Sequence, residues 1–215
     1  MRRVKHMLTL GLSTIVLSLS AQHDAKVEAL LKQMTLEEKV GQMAQVTVDI
    51  LMDNKTWKLN EEMLQQGIVN YKIGSVLNTW NNVAHSKEEW SALVKTLQTY
   101  TQKTKLKIPL VYGVDAIHGV TYTDKSTLFP QQIAQAATFN RSLVHRAAEI
   151  TAYESRAGSL PWNFSPVLDL GLDARWPRLW ETFGEDPYLA SELATQITRG
   201  YQGADADNID KFHVV

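Results

Sequence analysis

The sequence contains no cysteine among its 215 residues, which excludes disulfide bonds. It has no GxGxxG motif and no phosphate-binding P-loop, so no nucleotide site is predicted. The GxSxG motif of serine hydrolases is also absent. A chain of this length can bury a hydrophobic core large enough to hold itself together without covalent cross-links.

An excess of positive or negative charge is lacking as well. The formal net charge is −1, and there is no run of lysine or arginine that would predict binding to nucleic acid. With 44% hydrophobic and 21% charged residues, the composition is typical of a globular protein and excludes both a disordered chain and a membrane bundle.

The one long apolar run lies at the N-terminus and is too short to span a bilayer. It extends from Met7 to Leu19, follows a basic head that contains Arg2 and Arg3, and ends in small residues. This pattern predicts a secretory signal peptide at residues 1–21. Because no cysteine follows the run, a lipid anchor is not expected, and the protein is predicted to be periplasmic or secreted without a membrane anchor.

Short apolar segments bounded by turn residues predict strands at 73–78, 108–114 and 164–170, and a fourth strand that begins at 212–215. Amphipathic segments between them predict helices. Short strands that alternate with such helices are typical of a parallel α/β sheet.

Capping residues mark where several of these helices begin. They are the capping boxes at Thr35–Glu38 and Ser86–Glu89, Asn140, and the pair Asp186-Pro187. The helix after Asn140 is expected to bury Leu143, Ala147 and Ile150 and to end at Gly158.

An eight-stranded barrel takes about 250 residues, and only three strands and the start of a fourth are predicted here. We therefore predict an incomplete (β/α)8 TIM-type barrel at residues 22–215, truncated in its fourth strand.

Polar residues cluster where the predicted strands end, at Asn78, at Asp115 and His118, and at 169–178. In parallel sheets ligands bind at that edge. Asp115 could accept hydrogen bonds from ligand hydroxyls or could stabilise its own loop. His118 could join Asp115 in a metal site, but the other histidines form no ligand motif, and a hydrogen bond within its own loop is favoured.

Two arginines, Arg175 and Arg178, lie between Trp176 and Trp180 in the loop after the third predicted strand. Indole faces and guanidinium donors together suit a polyhydroxylated ligand. One arginine is expected to pair with a carboxylate, either Glu181, Glu185 or Asp186, and the other to face the ligand. The residues alone do not decide which arginine has which role. Glu185 and Asp186 are expected to serve the helix start.

Three segments carry a resemblance to a known family. The stretches at 108–120, 129–140 and 163–189 resemble the N-terminal barrel of glycoside hydrolase family 3, and in particular its secreted bacterial β-glucosidases. In the motif GVDAIHG, Asp115 matches a residue that binds the terminal sugar, and in RWPR, Arg178 matches another. Pro177 stands where many members have glycine, a departure that concerns the subfamily.

The resemblance implies a retaining exo-β-glycosidase that removes terminal non-reducing β-D-glucosyl residues from a β-glucoside or oligosaccharide, without a cofactor or metal. It places the nucleophile and the general acid/base beyond Val215, so no catalytic residue is expected in this chain. The missing C-terminal half of the same protein would then be its partner. We expect the 215-residue fragment to be inactive and poorly folded alone, since an open half-barrel exposes a sheet edge.

Two alternatives remain open. One is a non-catalytic carbohydrate-binding protein that uses Asp115 and Arg178. The other is a metal-dependent barrel hydrolase that uses Asp115 and His118.

Overall fold

The computed structural model of the chain describes residues 25–203 and Val214. The chain divides into an N-terminal unit that ends at Lys39 and a larger unit that begins at Val40. The predicted signal peptide lies outside the described residues. So does the predicted start of a fourth strand at 212–215, apart from Val214, which is buried and not in a strand.

Two helices begin in the N-terminal unit, α1 at Ala25–Gln33 and α2 at Leu36–Met43. The predicted capping box at the start of α2 is confirmed. The backbone N–H of Glu38 donates to Thr35 Oγ1 over 3.2 Å, and the N–H of Thr35 donates to Glu38 Oε2 over 2.9 Å. Two backbone donors that the helix cannot satisfy internally are thereby paired.

The larger unit contains a parallel four-stranded sheet whose strands follow the order of the sequence. The strands are β1 (Gln45–Thr47), β2 (Ser75–Leu77), β3 (Val111–Val114) and β4 (Trp162–Asn163). Val76 lies opposite Val46 on one side and Tyr112 on the other. Because each strand pairs with the next one along the chain, the sheet winds in one direction, as the first half of a TIM-type barrel does. The predicted fold class is therefore confirmed.

Helices fill the connections between and after the strands. They are α3 (Glu61–Leu64), α4 (Lys87–Thr101), α5 (Gln132–Ala136), α6 (Arg141–Ala157) and α7 (Pro187–Gln202), with 3-10 turns at Val48–Leu51 and Leu179–Glu181 and a π-helical stretch at Gln65–Asn70. The predicted caps Ser86, Asn140 and Asp186 all accept backbone hydrogen bonds at the starts of α4, α6 and α7.

The core consists of two clusters. The first lies between the sheet and α4 and includes Val76, Trp90 and Tyr112. The second joins α6 to α7, where a side chain on Gly200 would come within 2.5 Å of the His145 carbonyl oxygen. The two helices therefore approach closely, and burying apolar area in both clusters stabilises the fold.

The face that α6 buries differs from the predicted one. Val144, Ala148 and Ala152 are buried, whereas Leu143 is exposed and Ala147 and Ile150 are only partly buried. The close approach of α7 explains this difference, because small side chains fit beneath a neighbouring helix where a leucine does not.

The strand predictions need three corrections. Strand β1 was not predicted, because three residues that directly follow a helix show no apolar run. Strands β2 and β3 are shorter than 73–78 and 108–114. The segment 164–170 is not a strand; β4 precedes it at Trp162–Asn163, and the chain continues irregularly through a cis Ser165–Pro166 peptide. Pro166 has no N–H to donate to a neighbouring strand, which ends the ladder.

Candidate functional site

The carboxyl ends of the parallel strands bring several polar residues to one edge of the sheet. Asp49 follows β1, Asn78 follows β2, Asp115 follows β3 and Ser165 lies just beyond β4. This is the edge at which barrels bind their ligands.

The backbone beside Asp115 is fixed by a buried asparagine from β4. The Oδ1 atom of Asn163 accepts hydrogen bonds from the N–H of Ala116 over 2.9 Å and from the N–H of Ser165 over 3.2 Å, while its Nδ2 donates to the Ala116 carbonyl over 3.3 Å. The hydroxyl of Tyr201 in α7 donates to the same carbonyl over 3.2 Å. Asp115 therefore leaves the sheet at a point that β4 and α7 hold in place.

A close contact behind Asp115 requires a glycine. A Cβ atom on Gly113 would lie 2.3 Å from Cζ of Phe164, far inside van der Waals distance. The Phe164 ring packs edge-on against Trp162, with 4.8 Å between the ring centroids. Because position 113 is a glycine, the rings of Trp162 and Phe164 can pack over the end of β3, just before Asp115.

Both arginines of the predicted sugar-binding loop form ion pairs. Arg178 donates from Nε and Nη2 to Oε2 of Glu181, with a distance of 2.8 Å from Nε. Arg175 pairs with Asp173, at 3.0 Å between Nε and Oδ1 and 2.6 Å between Nη2 and Oδ2. The expectation that only one arginine would pair with a carboxylate is wrong, because Asp173 lies close enough in the turn to bind Arg175.

Asp115 and Arg178 lie within electrostatic reach of each other. Burial raises the pKa of Asp115, the positive charge of Arg178 lowers it, and the negative charge of Glu181 raises it. Burial likewise raises the pKa of Tyr122, with smaller increases from the charges of Asp115 and Glu181. Asp115 therefore interacts electrostatically with Arg178, Glu181 and Tyr122, so an acceptor, a cation and a hydroxyl lie within reach of this carboxylate.

The backbone of Tyr122 is held by the loop that follows β2 and by the first turn of α4. Its carbonyl accepts hydrogen bonds from Trp90 Nε1 over 2.9 Å and from the N–H of His85 over 3.0 Å. The His85 ring stacks on Trp80 with 3.5 Å between centroids. Tyr122 was not predicted to be a site residue, because nothing in the sequence around it shows that its side chain lies within electrostatic reach of Asp115.

His118 forms a hydrogen bond within its own loop. Its Nδ1 lies 3.0 Å from the Phe129 carbonyl, an acceptor to which the ring must donate, and the Phe129 N–H donates to the His118 carbonyl over 2.8 Å. The favoured interpretation of this histidine is therefore confirmed. Throughout residues 25–203, no group of three or more histidine, aspartate or glutamate side chains is arranged to hold a metal ion.

Asp49 is a residue that sequence analysis missed. Its Oδ1 atom is buried and has no hydrogen-bond partner in the described part of the chain. Burial and the charge of Asp49, in that order, raise the pKa of Tyr112, whose hydroxyl donates to the Asn78 carbonyl over 2.6 Å. The available signal was its position two residues after β1, and that strand was itself not predicted.

Among the described helices, none combines the length and the apolar character needed to cross a membrane.

Comparisons with known proteins agree with this architecture. The profile of the "Glycosyl hydrolase family 3 N terminal domain" matches residues 35–214. The chain is 39% identical over 188 residues to the lysosomal beta glucosidase of Dictyostelium discoideum, which covers 84% of this chain and 23% of that protein. It is 31% identical over 182 residues to the periplasmic beta-glucosidase of Salmonella typhimurium, covering 84% of this chain and 21% of that one.

A solved structure is similar as well. The beta-glucosidase from Listeria innocua in complex with glucose superposes with a TM-score of 0.71 at 34% identity, covering 90% of this chain and 26% of that chain. This chain thus spans about a quarter of the length of the proteins that it matches.

Proposed function

The chain belongs to glycosyl hydrolase family 3, and from this premise we propose that it supplies the sugar-binding wall of a longer exo-β-glycosidase. The proposed reaction is the hydrolysis of terminal non-reducing β-D-glucosyl residues with retention of configuration. The observation that carries this proposal is that Asp115 follows a parallel strand at the carboxyl edge of the sheet, within electrostatic reach of Arg178.

Each of these residues has a distinct role in the proposal. Asp115, when ionised, accepts hydrogen bonds from hydroxyls of the terminal sugar, and a carboxylate can accept two at once. Arg178 donates to the same sugar from the N–H groups that Glu181 leaves free. Contacts of this kind strengthen as the sugar ring distorts, so they favour the transition state as well as the bound substrate.

The covalent chemistry belongs to residues that follow Val215 in this proposal. A carboxylate attacks the anomeric carbon while the bond to the leaving oxygen breaks, and a carboxylic acid gives that oxygen its proton. Water then attacks the anomeric carbon of the glycosyl-enzyme and gives its proton to the residue that acted as the acid in the first step. The bond to the nucleophile breaks, which releases the sugar and restores the nucleophilic carboxylate. The lengths of the relatives, about four times that of this chain, support this division of labour.

We also propose that the protein is exported to the periplasm or the exterior through the signal peptide at residues 1–21. The basic head and apolar run of that segment support this location, and one relative is a periplasmic beta-glucosidase.

The test compares the 215-residue chain with the full-length protein on aryl β-glucosides and aryl β-xylosides. We expect turnover by the full-length protein, with a larger kcat/KM on the glucoside, and none by the isolated chain. NMR of the first-formed sugar reports its anomeric configuration, and an inverted product would contradict the proposed mechanism. A full-length protein that binds glucose without turnover would instead favour the non-catalytic carbohydrate-binding alternative.

A further inference from the structure

Glu181 and Arg178 differ in how firmly each is held. The side chain of Glu181 is 15% exposed and that of Arg178 is 55% exposed. Glu181 ends the 3-10 turn Leu179–Glu181, and Thr182 and Phe183 directly after it are both buried. The carboxylate is therefore the anchored member of the pair, and the guanidinium is the member that extends toward solvent.

The pairing leaves one edge of the guanidinium available. Arginine has five N–H donors in one plane, and Glu181 accepts two of them at a single oxygen, Oε2. The remaining three donors point away from the carboxylate. An arginine held in this way presents a fixed donor set to a ligand, whereas a free arginine would lose rotamer entropy on binding.

We propose that Glu181 is a positioning residue, which holds the guanidinium of Arg178 beside Asp115 and balances the charge that Arg178 brings to that carboxylate. The proposal rests on the proposed function, since it assigns Glu181 a role at the same sugar site.

The charge balance has a definite sign. Three groups act on or with Asp115 across the site: Arg178 favours its ionised form, Glu181 disfavours it, and Tyr122 responds to both carboxylates. Arg178 also feels the charge of Asp169. Because Asp115 accepts sugar hydroxyls when ionised, a lower pKa of Asp115 extends binding to lower pH. Glu181→Gln removes the negative charge but keeps a side-chain oxygen that can accept from Arg178, so the Arg178 cation stays within reach of Asp115 and the pKa of Asp115 falls.

The test uses Glu181→Gln in the full-length protein, with Asp173→Asn as the matched control. Both substitutions remove the charge of an arginine-paired carboxylate in the same loop, but Arg175 and Asp173 are exposed, at 91% and 52%, and the structure shows no influence of Asp173 on Asp115. The readouts are the dissociation constant for glucose, kcat/KM across pH, and the thermal unfolding temperature.

We expect Glu181→Gln to weaken glucose binding and to lower kcat/KM by up to roughly 100-fold, the loss that small misplacements of binding groups can cause. The acid limb of the kcat/KM profile should move to lower pH. Asp173→Asn should change neither quantity. The position of the acid limb of the kcat/KM profile distinguishes a positioning role from a structural one, because a loosened fold would lower activity without moving that limb.

The outcomes also separate this proposal from the proposed function. Turnover by the wild type, with Glu181→Gln and Asp173→Asn behaving alike, would overturn the role of Glu181 alone. Glucose binding without turnover, weakened by Glu181→Gln, would support Glu181 and overturn the glycosidase. A wild-type protein that neither binds glucose nor cleaves a glucoside would overturn both.

Discussion

Asn163 offers the sharpest test of how the site is built. Its side chain is 6% exposed and makes three hydrogen bonds, two with Ala116 and one with Ser165. Asn163→Ala would remove all three. The Ala116 carbonyl would keep its bond from the Tyr201 hydroxyl, but the N–H groups of Ala116 and Ser165 would lose their acceptor.

The expected cost follows from those two unpaired donors. A buried donor left without a partner costs about 1–3 kcal/mol, and a partly buried one costs less. Because the Ala116 N–H is buried and the Ser165 N–H is only partly buried, the variant should lose roughly 2–4 kcal/mol of unfolding free energy. That is a large part of the 5–15 kcal/mol typical of a domain. Since Ala116 is the residue after Asp115, kcat/KM should also fall.

Urea unfolding of the full-length protein measures the first effect, and turnover of an aryl β-glucoside measures the second. Asn140→Ala is the control, because Asn140 caps α6 through two backbone N–H groups at an exposed site. It should cost about 1 kcal/mol and leave kcat/KM unchanged. If Asn163→Ala destabilised the protein no more than Asn140→Ala, the role assigned to the Asn163 amide would be wrong.

Two further predictions concern the same strand and its carboxylate. Gly113→Ala should destabilise the protein by about 1–3 kcal/mol in thermal unfolding, because the new Cβ would meet Phe164 at 2.3 Å. Gly158→Ala is the control, because its Cβ would come no closer than 3.4 Å to any neighbour and its φ of −86° suits alanine; an equal loss in both variants would refute the packing argument. Arg178→Gln should move the acid limb of kcat/KM to higher pH, because the Arg178 cation lowers the pKa of Asp115; an unmoved limb, or one at lower pH, would contradict the assigned coupling.

The parts of the fold that sequence analysis predicted correctly depend on local chemistry. Capping residues such as Ser86 and Asp186 satisfy backbone donors within their own helix turn, so their pattern shows directly in the sequence. The prediction of a strand at 164–170 was wrong because strand formation depends on pairing with neighbouring strands. Its apolar residues suggested burial, but pairing requires a donor at each alternate position, and Pro166 has none.

The candidate site also contains features that the sequence predicted and features that it did not. Asp115 and the arginine loop could be placed together because the carboxyl ends of parallel strands meet at one edge, whereas the choice of Arg178 over Arg175 came from the family resemblance. The pairing of Arg175 with Asp173 was not predicted, since several carboxylates lay within reach of each arginine. Asp49 was missed because β1, unlike β2, carries no apolar run, and its position depends on the strand beside it.

The contacts described above that position Asp115, Tyr122 and Arg178 lie within this chain. Asn163 fixes the backbone after Asp115, Trp90 holds Tyr122, and Glu181 holds Arg178. None of these bonds depends on the carboxyl groups that would perform the reaction. In the proposed function, binding and chemistry would then rest on separate sets of contacts, so loss of one of these bonds should weaken the binding of glucose itself. A defect in the catalytic carboxyls should leave glucose binding intact, and this difference makes binding the measurement by which each assigned residue can be judged.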